Sequence, residues 1–362
     1  MKARKTLAER LRDQIVRTGP ISIEAFTRSA LYDPEAGYYA TREDILGGDG
    51  DFITSPEVSQ MFGELIGLWA ASEWDAIGRP DAINFIELGA GRGLLMSDAL
   101  RAINKVAPAF REAAQVVFVE VNPAHRELQA ATDPNALHVS ALEAAPPGPT
   151  MLIANEFLDC YPVRQLLRVG GAWRERLVCL DPESEGFRYT TTARESPLAA
   201  QIPPCLANAP DGAIYELMPE LPGFVTTLAA RLHAAPGRAL FIDYGHREPR
   251  LGDTFQAMRK HEDVDPLEDA GEVDLTAHVD FARLADLAHN AGLVAARIAT
   301  QGEFLMQIGL RARADRLKRI HPEKAEPIER DLERLADPNE MGELFKVMCL
   351  SSPGLPPPAG FA

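Results

Sequence analysis

The sequence predicts an α/β protein: a doubly wound sheet with an N-terminal helical layer and an insertion before the fifth strand. Three observations carry this. Between residues 83 and 155, short apolar runs alternate with helical periodicity, as strands covered on both faces do. A glycine-rich turn, Gly89-Ala90-Gly91-Arg92-Gly93, joins the first run to the helix after it. Residues 160–235 interrupt the alternation, which resumes at Ala239-Leu240-Phe241-Ile242-Asp243-Tyr244-Gly245. With 362 residues, 46% of them hydrophobic and 25% charged, the chain has room for two domains and is not disordered as a whole.

The elements follow in order. Leu7, Leu11 and Ile15 recur at helical spacing behind a basic start, Met1 to Lys5, which reads as an amphipathic helix and not a signal peptide. Ser55-Pro56-Glu57 opens a helix, with a hydroxyl cap, a proline and an acid at its positive end. Its stripe of Val58, Met61, Phe62, Leu65, Ile66 and Trp69 belongs to the core, as does Trp74. Strands are expected at 83–88, 116–120, 137–139 and 151–154, with helices at 94–106 and 123–131. Gly170-Gly171 turns a hairpin between 165–169 and 173–180, and a helix lies near 222–234. The polar stretch 246–275 lacks periodicity and reads as a long functional loop. A helix at 279–290, a strand at 293–299, helices over 303–335 and a last strand at 344–350 complete the series. The expected organisation is a helical layer and pocket cover over 1–75, a core over 76–350 with its insertion at about 160–235, and a flexible tail over 351–362.

Composition narrows the partners. With 37 basic and 53 acidic residues the net charge is −16, which argues against nucleic acid and anionic membrane. A basic polypeptide would be drawn to such a chain. No apolar run reaches 18 residues, so membrane insertion is not expected. Cys160, Cys179, Cys205 and Cys349 are scattered without metal-site spacing, so no metal is expected and a reducing, cytoplasmic setting is. The oligomeric state is not legible.

The chemistry concentrates around the glycine turn. Its spacing is G-x-G-x-G, and Leu94 stands where a dinucleotide fingerprint needs its third glycine. Glu87, two residues before Gly89, suits a ligand with a cationic amino-acid moiety better than a pyrophosphate. The combination resembles the first motif of class I S-adenosylmethionine (SAM) methyltransferases. Glu120, ending the next strand, then falls where a carboxylate accepts both ribose hydroxyls.

Longer strings narrow the resemblance. Gly50-Asp51-Phe52-Ile53-Thr54-Ser55-Pro56-Glu57, Asn155-Glu156-Phe157-Leu158-Asp159, Phe241-Ile242-Asp243-Tyr244-Gly245-His246 and Asp274-Leu275-Thr276-Ala277-His278-Val279-Asp280-Phe281 resemble the MidA-type methyltransferases. Leu31-Tyr32-Asp33-Pro34 and Gly37-Tyr38-Tyr39 add to the match, which spans about 28–300. This family includes a mitochondrial protein arginine methyltransferase that assists respiratory complex I assembly. The resemblance implies a Rossmann-like class I methyltransferase fold, SAM as donor, and a protein arginine on a complex I-type subunit as acceptor. Cys160-Tyr161 and the loop at Arg259-Lys260-His261 depart from the family pattern on the presumed acceptor side.

Methyl transfer from a sulfonium depends on positioning and desolvation, and an arginine acceptor needs carboxylates shaped to its fork. Donor-binding candidates are Glu87, Gly89, Gly91, Gly93, Glu120 and Asn155; catalytic candidates are Glu156, Asp159, Asp243 and His246. Glu156 is the leading acceptor-orienting carboxylate, and His246 could relay a proton. Each has a plainer reading: Glu156 as a helix-start acid, His246 as a loop hydrogen-bonder. His261 is a weaker candidate of the same kind. The segments 47–57 and 250–275 could close over the donor or be rigid excursions. A non-catalytic SAM-binding assembly factor and a small-molecule methyltransferase remain open, because the fold does not define the acceptor.

Overall fold

The computed structural model describes residues 5–41, 54–184, 186–259 and 262–362. The basic start at 1–4, the 47–53 part of the first candidate closing segment, and His261 with Lys260 lie outside the described residues. The described residues form two compact units: those within 5–41, 159–221 and 248–280 make one, and 54–158, 222–247 and 281–362 the other.

The second unit carries the central sheet. Its strands are β1 (Ile83–Leu88), β2 (Ala114–Val119), β3 (Leu137–Val139), β4 (Thr150–Asn155), β5 (Gly237–His246), β6 (Val294–Ala295), β7 (Ala299–Thr300) and β8 (Phe345–Ser351). The order across the sheet is β6-β8-β5-β4-β1-β2-β3, with β7 also on β8. From β5 to β3 all neighbours are parallel, whereas β8 pairs antiparallel with β5. Every residue of β1 and β8 is buried, including the polar Asn84, Glu87, Lys346 and Ser351, so both faces of these strands are covered. Phe85, Phe118, Ile153 and Ile242 point into one core with the helices Gln60–Ala76 (α1) and Leu94–Val106 (α2) and the bundle from 301 to 336. On the other face, Phe224 of the helix Leu221–Ala234 meets Phe241 edge-on at 5.9 Å between centroids.

The first unit combines the helices Leu7–Thr18 and Ile23–Tyr32 with antiparallel strands from the insertion. Arg164–Val169 and Ala172–Leu180 form the expected hairpin, flanked by Ile214–Leu217, Phe187–Thr191 and Ile21–Ser22. Leu11, Ile15, Phe26, Leu31 and Tyr38 share a core with Val178, Phe255, Val273 and Leu275.

Several expectations need correction. The residues expected as one N-terminal layer divide: 7–41 pack with the insertion, while α1 belongs to the sheet unit. The stretch 246–275 contains a small antiparallel sheet of Gln256–Arg259, Glu262–Val264 and Asp274–Thr276, whose short strands are too polar to show as a pattern. The helix expected to run from 55 through Trp69 is two: Thr54 caps Ser55–Val58, with Glu57 in a capping box, and extended Ser59 ends it and caps α1. The expected flexible tail is docked. Trp69 donates to Ala359 O at 3.0 Å, the Ala359 N–H donates to Glu73 at 2.9 Å, and Phe361 lies against Phe304 at 5.2 Å.

Candidate functional site

Moving from β1, the chain adds β2 and β3 on one side and β4 and β5 on the other, so the strand order reverses between β1 and β4. The segments leaving the carboxyl ends of the paired strands β1 and β4 therefore diverge at a switch point, where open α/β sheets bind ligands. Glu87, the glycine turn, Asn155 and Glu156 stand at those two ends.

The turn after β1 is built for close approach. Gly89, Gly91 and Gly93 all have left-handed φ, at 62°, 51° and 77°. A Cβ on Gly89 would lie 2.9 Å from Cδ2 of Phe157, so both conformation and space exclude a side chain there. Gly93 caps α2 without a side-chain hydrogen bond, and a Cβ there would lie 3.2 Å from the Thr132 hydroxyl.

Glu87 is 3% exposed. Burial pushes its carboxyl up to about 8, against a hydrogen bond from the Met96 N–H and with a further push from Glu120. Its Oε2 has no hydrogen-bond partner among the described residues. A buried acceptor left unmet costs free energy, so this atom is matched to a cationic donor that arrives with a ligand.

Glu120 is buried at the end of β2 and otherwise arranged. Its Oε1 accepts the N–H groups of Val121 and Asn122, each at 2.8 Å. Its Oε2 accepts from Gln129 Nε2 at 3.1 Å and lies 3.6 Å from His125 Nδ1. Burial works against its charge, but His125, the Asn122 N–H and Gln129 together hold it below the ordinary carboxylate range. It is thus an ionised acceptor beside the glycine turn.

At the end of β4, Asn155 Nδ2 donates to Glu156 Oε1 at 3.0 Å, while its buried Oδ1 has no partner among the described residues. Glu156 has a φ of 49°, left-handed backbone that a glutamate adopts at a cost. Its Oε1 also accepts the Ser55 N–H at 3.2 Å. Asp243, 1% exposed on β5, accepts the Phe157 and Leu158 N–H groups at 3.1 and 2.9 Å. Its carboxylate thereby holds the turn after β4, and through Phe157 the wall of the glycine turn. His246 is half-buried at the end of β5, on the same sheet edge. Asp159 belongs to the first unit, where Cys160 Sγ donates to it at 3.1 Å and its carbonyl accepts the Ala277 N–H.

Sequence reasoning missed His125 and Gln129. A signal was available: they are i and i+4 on the helix Pro123–Ala130, and polar residues at that spacing facing a site acid deserve suspicion.

Residues 65–299 match a family described as "Putative S-adenosyl-L-methionine-dependent methyltransferase". The chain is 35% identical to the Drosophila melanogaster protein arginine methyltransferase NDUFAF7 homolog, mitochondrial, over 95% of this chain and 84% of that protein. It is 33% identical to the Homo sapiens protein arginine methyltransferase NDUFAF7, mitochondrial, covering 93% and 81% respectively. Among solved structures, a Burkholderia thailandensis protein bound to S-adenosyl-homocysteine superimposes with a TM-score of 0.83 at 28% identity, over 98% of this chain and 93% of that one. With its largely parallel sheet, switch-point glycine turn and unmet Glu87 Oε2, the chain belongs to the S-adenosyl-L-methionine-dependent methyltransferases.

Proposed function

We propose that this protein transfers a methyl group from SAM to an arginine side chain of a protein substrate, and that the substrate is a subunit of a complex I-type respiratory assembly. The observation that carries the donor half is the unmet Glu87 Oε2 beside three left-handed glycines at the switch point. The names of the Drosophila and human relatives, both protein arginine methyltransferases, support the acceptor half.

The residues present fit the donor. Glu87 would meet the amino-acid ammonium, Asn155 Oδ1 offers a second unmet acceptor at the end of the adjacent strand β4, and Glu120 would take the ribose hydroxyls. When bound, SAM supplies an electrophilic methyl on its sulfonium. The chain's own part is to orient and to exclude water. Glu156, strained at the end of β4, is the carboxylate we place on the acceptor guanidinium, holding one nitrogen in line, and His246 at the end of β5 is the base we assign to the proton that nitrogen loses. Asp243 keeps that turn in shape. We also place the protein in the cytoplasm, a reading supported by four free thiols.

The test incubates the purified protein with methyl-labelled SAM and a complex I-type subunit containing arginine, followed by mass spectrometry. Methylarginine on the subunit is expected. SAM binding with stable subunit capture but no label would replace the transferase reading with that of a non-catalytic assembly factor, and label on a small molecule alone would redirect the acceptor.

A further inference from the structure

The helix Pro123–Ala130 is inverted relative to an ordinary surface helix. Its only buried side chains are His125 and Gln129, while Leu128 is 47% exposed. An amphipathic helix normally turns its apolar stripe inward, so two buried polar residues one turn apart mark a face chosen for something other than core packing.

Gln129 is fully buried. Its Nε2 donates to Gly91 O at 2.7 Å and to Glu120 Oε2 at 3.1 Å. Both partners are acceptors only, so the amide nitrogen must sit between them, and the side chain's orientation is settled by chemistry. Its Oε1 is then directed elsewhere, buried and without a partner among the described residues. The Gln129 stem also backs Gly93, whose Cβ, if present, would lie 3.3 Å from Gln129 Cγ. One side chain thus touches the middle and the end of the glycine turn and the carboxylate on the neighbouring strand. With the Val121 and Asn122 N–H groups on Oε1, the amide on Oε2 leaves the Glu120 carboxylate little freedom to rotate.

We propose that Gln129 is a positioning residue for the donor: it ties the glycine turn to Glu120 and aims that carboxylate at the donor's ribose hydroxyls. The inference rests on the donor site described above. Gln129 acts through Glu120. Removing it should weaken recognition of the hydroxyls specifically, rather than binding in general.

The experiment compares calorimetric affinities of the full-length protein for S-adenosyl-homocysteine and for its 2′,3′-dideoxyribose analogue. Wild type should lose at least about tenfold in affinity when the hydroxyls are removed, the size of one of the two charge-assisted hydrogen bonds. Gln129→Met should bind S-adenosyl-homocysteine about tenfold more weakly and then lose less than about threefold on hydroxyl removal. Equal affinity of Gln129→Met and wild type for S-adenosyl-homocysteine would overturn the proposal. So would an equal loss for both ligands, or wild type that does not discriminate between them. Should Gln129→Met fail to fold, Gln129→Asn keeps the amide on a shorter stem and is read by the same two affinities. No binding of S-adenosyl-homocysteine by wild type would sink the donor site itself, a result distinct from any of these.

Discussion

Glu87 illustrates how a single buried carboxyl couples ligand binding to protons. Its native value of about 8 lies above the ordinary 4.5, so the ligand-free protein holds that proton more tightly than the unfolded chain does. The associated stability is full below about pH 4.5 and is lost as pH rises through about 8. Glu87→Gln should flatten this slope in thermal melts recorded across that window, and so be the more stable protein at pH 8. A cationic ligand moiety beside Glu87 favours its ionised form, so SAM binding near pH 7 should release a proton. Calorimetry in buffers of different ionisation enthalpy measures this, and Glu87→Gln should show neither the proton nor the tight binding. Glu156 separates folding from chemistry in another way. Asparagine tolerates left-handed backbone, so Glu156→Asn should keep stability within about 1 kcal/mol by urea unfolding. If Glu156 orients the acceptor, turnover should fall about 100-fold. Full turnover in that variant would remove Glu156 from the acceptor side.

Between elements, the site is held by contacts that run from strand to turn to helix. Asp243 on β5 holds the turn after β4, and Phe157 of that turn closes on Gly89. Beneath the glycine turn, α1 and α2 approach through Gly63 and Gly67. A Cβ on Gly67 would stand 2.6 Å from Ala99 Cα, a backbone atom that cannot step aside. Gly67→Val should therefore force the two helices apart and cost about 3 kcal/mol in denaturant unfolding, with donor affinity falling because α2 carries the turn. The apolar stripe of α1 was plain in sequence, since Met61, Phe62, Leu65 and Trp69 recur at helical spacing. The closeness of the two helices was not, because a glycine within a helix looks only like a weak helix former until the neighbouring backbone is placed.

Across the molecule, the C-terminal strap changes what counts as core. Arg238 is fully buried and forms an ion pair with Glu73 at 2.8 Å, and it donates to Ser351 at 2.7 Å and to Pro356 O at 2.6 Å. Glu73 takes the Ala359 N–H in turn. Removing residues 353–362 would strip partners from both ions and uncover Trp69 and Phe304. Truncation after Ser352 should lower stability by about 3 kcal/mol, read as a fall in Tm. Intact stability after truncation would show that the strap is incidental. The chain's net charge of −16 suits a basic protein substrate, and carboxylates such as Glu73 and Glu120 are committed to internal partners.

The sequence by itself determined the α/β alternation, the glycine turn, the SAM family and most element boundaries, because these depend on local periodicity and on residue types whose backbone demands are specific. Strand 137–139 and helix 94–106 fall where the pattern puts them. Only the tertiary structure decided what each polar side chain does. It turned Asp243 into a brace, revealed Gln129 behind Glu120, assigned Asp159 to the other unit and docked a tail that reads as loose. The physical reason is that hydrogen-bond partners lie far apart in the chain. A carboxylate's task depends on which donors the fold brings to its oxygens, and that information is not local.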